Sequence, residues 1–65
     1  MINLKRLNNT DIVINCELIE TIEATPDTVI TFTNGHKLVV RQTVDEVIDK
    51  IIEYKRKIFN AYPPK

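Results

Sequence analysis

Apolar residues alternate along the first two thirds of the chain and then recur with a helical period. Ile2 and Leu4 alternate with Asn3 and Lys5, which predicts a first strand. Asp11 to Asn15 carries Ile12, Val13 and Ile14, a short second strand. Between them, Asn8-Asn9-Thr10 is a turn cluster, and asparagine tolerates the left-handed backbone region there. Asn15 is placed to cap a single helical turn over Cys16, Glu17 and Leu18 by accepting backbone N–H bonds. A third strand is predicted from Ile19 to Ala24, with Ile22 and Ala24 on one face and Thr21 and Glu23 on the other. Pro26-Asp27 makes a turn, with Pro26 presetting its φ.

The strands predicted at Thr28 to Thr33 and His36 to Gln42 flank Asn34-Gly35, a strong hairpin signal, because a type I′ turn needs φ > 0 at both central residues. Gly35 is the only glycine in the chain. A two-residue loop would pair Thr33 with His36, Thr31 with Leu38 and Val29 with Val40 on one face. Phe32 with Lys37, Ile30 with Val39 and Thr28 with Arg41 would share the other. In that register both faces of the hairpin carry apolar residues. One helix covers only one of them, so a second copy of the chain or another partner is expected on the other.

From Thr43 the period becomes helical. Thr43-Val44-Asp45-Glu46 fits a capping box. Val44, Val47, Ile48, Ile51, Ile52 and Ile58 form the expected buried stripe. Glu46 with Lys50, and Glu53 with Lys57, stand at favourable i,i+4 spacing. Asp45 and Glu46 sit at the positive end of the helix dipole, and Lys55, Arg56 and Lys57 near the negative end. The helix is expected to end at about Phe59 or Asn60, because Pro63-Pro64 cannot continue it. The expected fold class is α+β: a small antiparallel β-sheet of four to five strands followed by one C-terminal α-helix. Residues 1–60 form a single domain, with 61–65 as a short tail.

Composition narrows the function. A domain of 65 residues buries only about 60% of the surface its unfolded chain exposes, so it is marginal alone. One cysteine permits no internal disulfide and no structural zinc site built on thiols. Self-association is the remaining staple, and a homo-oligomer is expected. Nine basic and nine acidic residues argue against a nucleic-acid binder that works by bulk charge, though not against a local patch. No apolar run approaches the roughly 20 residues of a membrane span. Met1 to Asn9 has no apolar core of a signal peptide. A cytoplasmic protein is expected, possessing no membrane insertion of its own.

The chain carries few residues suited to catalysis. Cys16 and His36 are the only thiol and imidazole, and no pattern places them together. Glu17, Glu20, Glu23 and Asp27 read as a solvated strand edge, with an interaction surface as the other reading. One glycine cannot build a phosphate-cradling loop. No catalytic, metal-ligating or cofactor-binding residue is expected, and no cofactor. Lys5, Arg6, Lys37 and Arg41 would form a basic patch if the first and fifth strands were neighbours. Phe59 and Tyr62 lie beyond the main stripe; they either dock on the sheet or offer an aromatic contact to a partner.

The run Leu7-Asn8, then Ile14-Asn15-x-Glu17-Leu18-Ile19-Glu20-x-Ile22-Glu23-x-Thr25-Pro26-Asp27-Thr28-x-Ile30-Thr31-x-Thr33-Asn34-Gly35-x-Lys37, resembles the small flagellar FlbD family, which includes SwrD-like swarming motility proteins. The helical segment Val44-x-Glu46-Val47-Ile48-x-Lys50-Ile51-Ile52-Glu53-Tyr54-Lys55-Arg56 is similar to the C-terminal part of that family. The likeness runs from Met1 to about Ile58. It departs at Asn9, where glycine is usual in the first turn, and at Cys16, where a small residue such as alanine is common. The resemblance implies a non-enzymatic cytoplasmic flagellar accessory protein, recruited to the flagellar base. It would support swarming by raising motor power through the stator units, with a stator or other motor component as partner. It brings no catalytic residues. The alternative from the residues themselves is a small RNA-binding post-transcriptional regulator of flagellar genes, acting through Lys5, Arg6, Lys37 and Arg41.

Overall fold

A computed structural model describes the backbone of residues 1–61 and the side chains of residues 1–58. Five strands and a 3-10 turn precede one long helix: β1 (Ile2–Lys5), β2 (Asp11–Ile14), the turn Cys16–Leu18, β3 (Ile19–Ala24), β4 (Thr28–Phe32), β5 (Lys37–Val40) and α1 (Val44–Ala61). The α+β class therefore holds. The strands divide into two antiparallel sheets, β1-β2 and β3-β4-β5. A single bridge between Arg6 and Val40 joins the end of β1 to β5.

Both hairpins close with the same three-residue loop. In the second, the Phe32 amide donates to the His36 carbonyl at 2.8 Å and the Gly35 amide to the Phe32 carbonyl at 2.9 Å. Asn34 Oδ1 accepts from the His36 amide at 3.0 Å. In the first, the Arg6 amide donates to the Thr10 carbonyl and the Asn9 amide to the Arg6 carbonyl, both at 2.9 Å. Asn8 Oδ1 accepts from the Thr10 amide at 3.1 Å. The last loop residue is left-handed in each case, Gly35 at φ 87° and Asn9 at φ 70°. An asparagine side chain that ties down the amide two residues on, followed by one residue in the left-handed region, is the common element.

That geometry corrects the expected β4–β5 register by one residue. Gly35 and Asn9 are the positive-φ residues among those described, so Asn34 cannot take part in a type I′ turn. The observed partners are Thr28 with Val40, Val29 with Val39, Ile30 with Leu38 and Thr31 with Lys37. A one-residue slip exchanges the faces of a strand. Thr28, Ile30, Leu38 and Val40 now share one face, and β3 adds Ile22 opposite Ile30. The other face carries Thr21, Glu23, Thr31 and Lys37 around the cross-strand pair Val29 and Val39. The two faces are far less alike than the two-residue loop implies. A bulge between Ile19 and Thr21 keeps Ile19 opposite Phe32.

The core lies where the two sheets and the helix meet. Leu4, Ile30, Val40 and Val47 are almost fully buried, with Ile2, Ile14 and Cys16 beside them. Ile51 and Tyr54 pack against this cluster from α1. The capping box forms as expected: Thr43 Oγ1 accepts from the Glu46 amide at 3.1 Å, and Glu46 Oε1 accepts from the Thr43 amide at 2.8 Å. Asn15 likewise caps the 3-10 turn by accepting from the Glu17 amide at 3.0 Å.

Three helix expectations need correction. Ile48 and Ile52 are 41% and 49% exposed, because the core admits only the narrower stripe of Val47, Ile51 and Tyr54. Glu46 is not ion-paired to Lys50, since its carboxylate closes the cap; the Glu53–Lys57 pair does form, at 3.9 Å. The helix continues to Ala61, so Lys55, Arg56 and Lys57 precede its last turn, and the dipole acts on them weakly.

The two left-handed loop positions make a contrast. Gly35→Ala is expected to lower stability by about 1 kcal/mol, the cost of a Cβ at positive φ, since no atom lies within 4 Å of the added carbon. Asn9→Gly is expected to change it by less than about half that. Urea denaturation checks both; equal losses would show that the loops are not equivalent.

Candidate functional site

Many polar side chains are committed to local structure. Asn8, Asn15, Asn34, Thr43 and Glu46 all bond nearby backbone amides. Cys16 is buried in the core, whereas His36 is exposed beside the β4–β5 loop. No thiol–imidazole pair arises from that arrangement. Among the described residues no cluster of three or more His, Cys, Asp or Glu could hold a metal ion. Glu20, Glu23 and Asp27 are exposed, and β3 is an edge of its sheet. Charges along an open edge discourage pairing with another strand.

The backbones of three of the four expected basic residues adjoin. The Arg41 amide donates to the Lys5 carbonyl at 2.8 Å, and Arg6 bridges to Val40 next to it. Lys37 stands at the opposite end of β5. Lys5 is already neutralised, with Nζ 2.8 Å from Asp11 Oδ1. Arg6 and Arg41 have no ion pair among the described residues. Arg6 stands opposite Val40 and Arg41 opposite Lys5, and neighbouring ladder positions point to opposite faces, so the two free guanidinium groups do not share a face.

Glu17 and Lys55 link the 3-10 turn to α1 across 38 positions of sequence, at 2.7 Å. Sequence spacing gives no sign of this pair, because it depends on how the helix lies over the turn. The hydrogen bond from Lys55, then its positive charge, holds the Glu17 carboxyl below its ordinary 4.5. The same contact raises Lys55 above its ordinary 10.5. Any stability the pair adds is therefore present above the unfolded carboxylate's pKa and lost as pH falls through the depressed Glu17 value. At the alkaline end it is lost as pH rises through the raised Lys55 value. Both groups are solvated, so salt screens the pair.

The surface grooves are shallow. The one of about 350 Å³ is lined by Leu7, Pro26 and Val40 with Asp27, Thr28, Arg41 and Thr43, and it is open to solvent, unlike the enclosed clefts that bury most of a small ligand. Large apolar side chains instead reach the solvent: Leu7, Val13, Leu18, Ile48 and Ile52. Of the candidate aromatic contact, the Phe59 side chain and the whole of Tyr62 lie outside the described residues. No helix among the described residues is long and apolar enough to cross a membrane.

The family model of FlbD, flagellar and swarming motility proteins, matches residues 1–59. The chain belongs to the FlbD family. The match spans all five strands and the helix almost to its end, as the two resembling runs anticipate. No curated protein and no solved structure matches this FlbD chain. Family membership gives it a role in flagellar or swarming motility.

The Glu17–Lys55 pair makes a direct prediction. Lys55→Met is expected to raise the Glu17 titration midpoint back toward 4.5, followed by NMR of the side-chain carboxyl. An unchanged midpoint would show that Lys55 is not the cause.

Proposed function

We propose that this FlbD-family chain is a non-enzymatic protein-interaction module of the flagellar motor. It acts in the cytoplasm at the flagellar base and raises motor power through the stator units. One observation carries the reading: polar side chains serve turns, caps and surface pairs, while large apolar side chains such as Val13, Leu18 and Ile52 face solvent. Side chains of that kind gain free energy from a macromolecular partner and do nothing for bond chemistry. The family's link to flagella and swarming points to the motor as the setting, and a stator protein is the partner that the effect on power requires.

The RNA-binding reading has one observation in its favour, that Arg6 and Arg41, both near the β1–β5 bridge, have no ion pair among the described residues. Two cations give a small counterion-release slope, about −1.4 on a double logarithmic plot for a single strand. Binding so supported is weak at physiological salt.

Motility of a deletion strain separates the two. A normal number of filaments with slow swimming in viscous medium and poor swarming is the expected outcome. A drop in filament number would overturn the motor reading in favour of control of expression or assembly. Retention of RNA by the purified chain at low salt would then identify the regulator.

A further inference from the structure

The fold uses only half of one edge of β1. Lys5 turns its backbone away from β2: its amide donates to Gln42 Oε1 at 3.0 Å, and its carbonyl accepts from the Arg41 amide at 2.8 Å. Backbone groups alternate in direction along a strand, so the amide and carbonyl of Asn3 point to that same side. Neither has a hydrogen-bond partner among the described residues. A longer β5 would reach Asn3, but β5 ends at Val40 and the chain enters α1 at Val44. A groove of about 210 Å³ lies there, with Ile2 and Asn3 on one wall and Lys50, Glu53, Tyr54 and Lys57 of α1 on the other. Ile2 is buried and Asn3 exposed, on opposite faces of β1, so a groove that touches both follows the edge of the strand.

We propose that this edge takes up an extended, acidic segment of another protein as an added strand, laid between β1 and α1 in line with β5. The backbone selects the class of partner. Extended main chain supplies one acceptor for the Asn3 amide and one donor for its carbonyl, as strand addition to a sheet edge requires. Alternate side chains of the segment then point toward α1, where half-buried Tyr54 offers apolar surface. Charge selects the side chain. Glu53 is engaged with Lys57 at 3.9 Å, and the Glu46 carboxylate closes the helix cap. Asp49 lines a separate groove beside Ile52 and Arg56. Lys50 has no ion pair among the described residues, so it is the cation left to meet a carboxylate. The free edge is short and makes few hydrogen bonds, so binding in the upper micromolar range is expected. The proposal rests on the reading of the chain as an interaction module, and not on the motor as its setting.

The probe is an N-acetylated, C-amidated peptide of sequence Val-Glu-Val-Glu-Val, titrated into the purified full chain and followed by NMR. Shifts are expected at the amides of Ile2, Asn3 and Leu4 and at the Lys50 side chain. The same peptide with lysine in place of glutamate should bind about tenfold more weakly, and Lys50→Glu should reverse that preference. Asn3→Pro removes the edge donor and breaks no hydrogen bond of the fold, since proline is tolerated where a strand's N–H faces solvent. It is expected to weaken binding about tenfold or more, with circular dichroism checking the fold; the Lys50→Glu reversal stands apart from that variant. Four results would each overturn the proposal: no shift up to about 1 mM peptide, shifts centred on β2 or β3, equal binding of the two peptides before and after Lys50→Glu, or binding untouched by Asn3→Pro. Shifts at Asn3 that follow protein concentration without peptide would overturn it as well, by giving the edge to a second copy. Peptide binding by the purified chain and motility of the deletion strain are separate readouts, so either reading can fail while the other stands.

Discussion

The structure depends on a very small core. Four side chains are almost fully buried: Leu4 from β1, Ile30 from β4, Val40 from β5 and Val47 from α1. Each comes from a different element, so the centre of the core is complete only when β1, β4, β5 and α1 meet. The two sheets are joined by the Arg6–Val40 bridge, with the Arg41 amide donating to the Lys5 carbonyl and the Lys5 amide to Gln42 Oε1, and by this packing beneath α1. A cavity left by truncating such a residue costs about 2–5 kcal/mol. That is a large part of what a domain of this size has, at about 0.05–0.15 kcal/mol per residue. With so little interior, polar side chains are pressed into local service. Asn8 and Asn34 close loops, Asn15 and Thr43 cap helical segments, and Glu46 returns to the amide of Thr43.

The repeated loop explains how the sheets sort their faces. A two-residue connection would put Ile30 opposite Val39, mixing apolar and polar positions on both sides. The three-residue loop places Ile30 opposite Leu38 and Thr28 opposite Val40. The buried face thereby gathers the larger side chains, and the outer face keeps only Val29 and Val39 among polar neighbours. The surplus of apolar surface moves from the sheet to the helix, where Ile48 and Ile52 remain in solvent. The physical basis for expecting a partner therefore persists, but its position on the molecule changes.

For function, the contrast lies between surfaces and sites. The thiol is in the core and the imidazole beside a loop. The basic residues divide between an ion pair, two free guanidinium groups and the far end of β5. What remains for interaction is helix surface and scattered apolar side chains. That surface is what the contact role proposed for this FlbD-family protein would use.

Local residue patterns specify the elements. Alternation at Ile2 and Leu4, the Asn15 and Thr43 caps, Gly35 and the helical period after Thr43 are local signals, and the strands, turn and helix fall where those signals lie. The long runs that resemble the flagellar family were equally legible, since they need only residue identities in order. Tertiary structure decided everything that depends on two distant segments meeting. It chose the register of β4 with β5, because both loop lengths are compatible with Asn34-Gly35 and only the burial of Ile30 and Val40 separates them. It divided the strands into two sheets, paired Glu17 with Lys55, and left Ile48 and Ile52 outside. A helical period tells which residues share a stripe; how much of the stripe is covered depends on the width of the core beneath it.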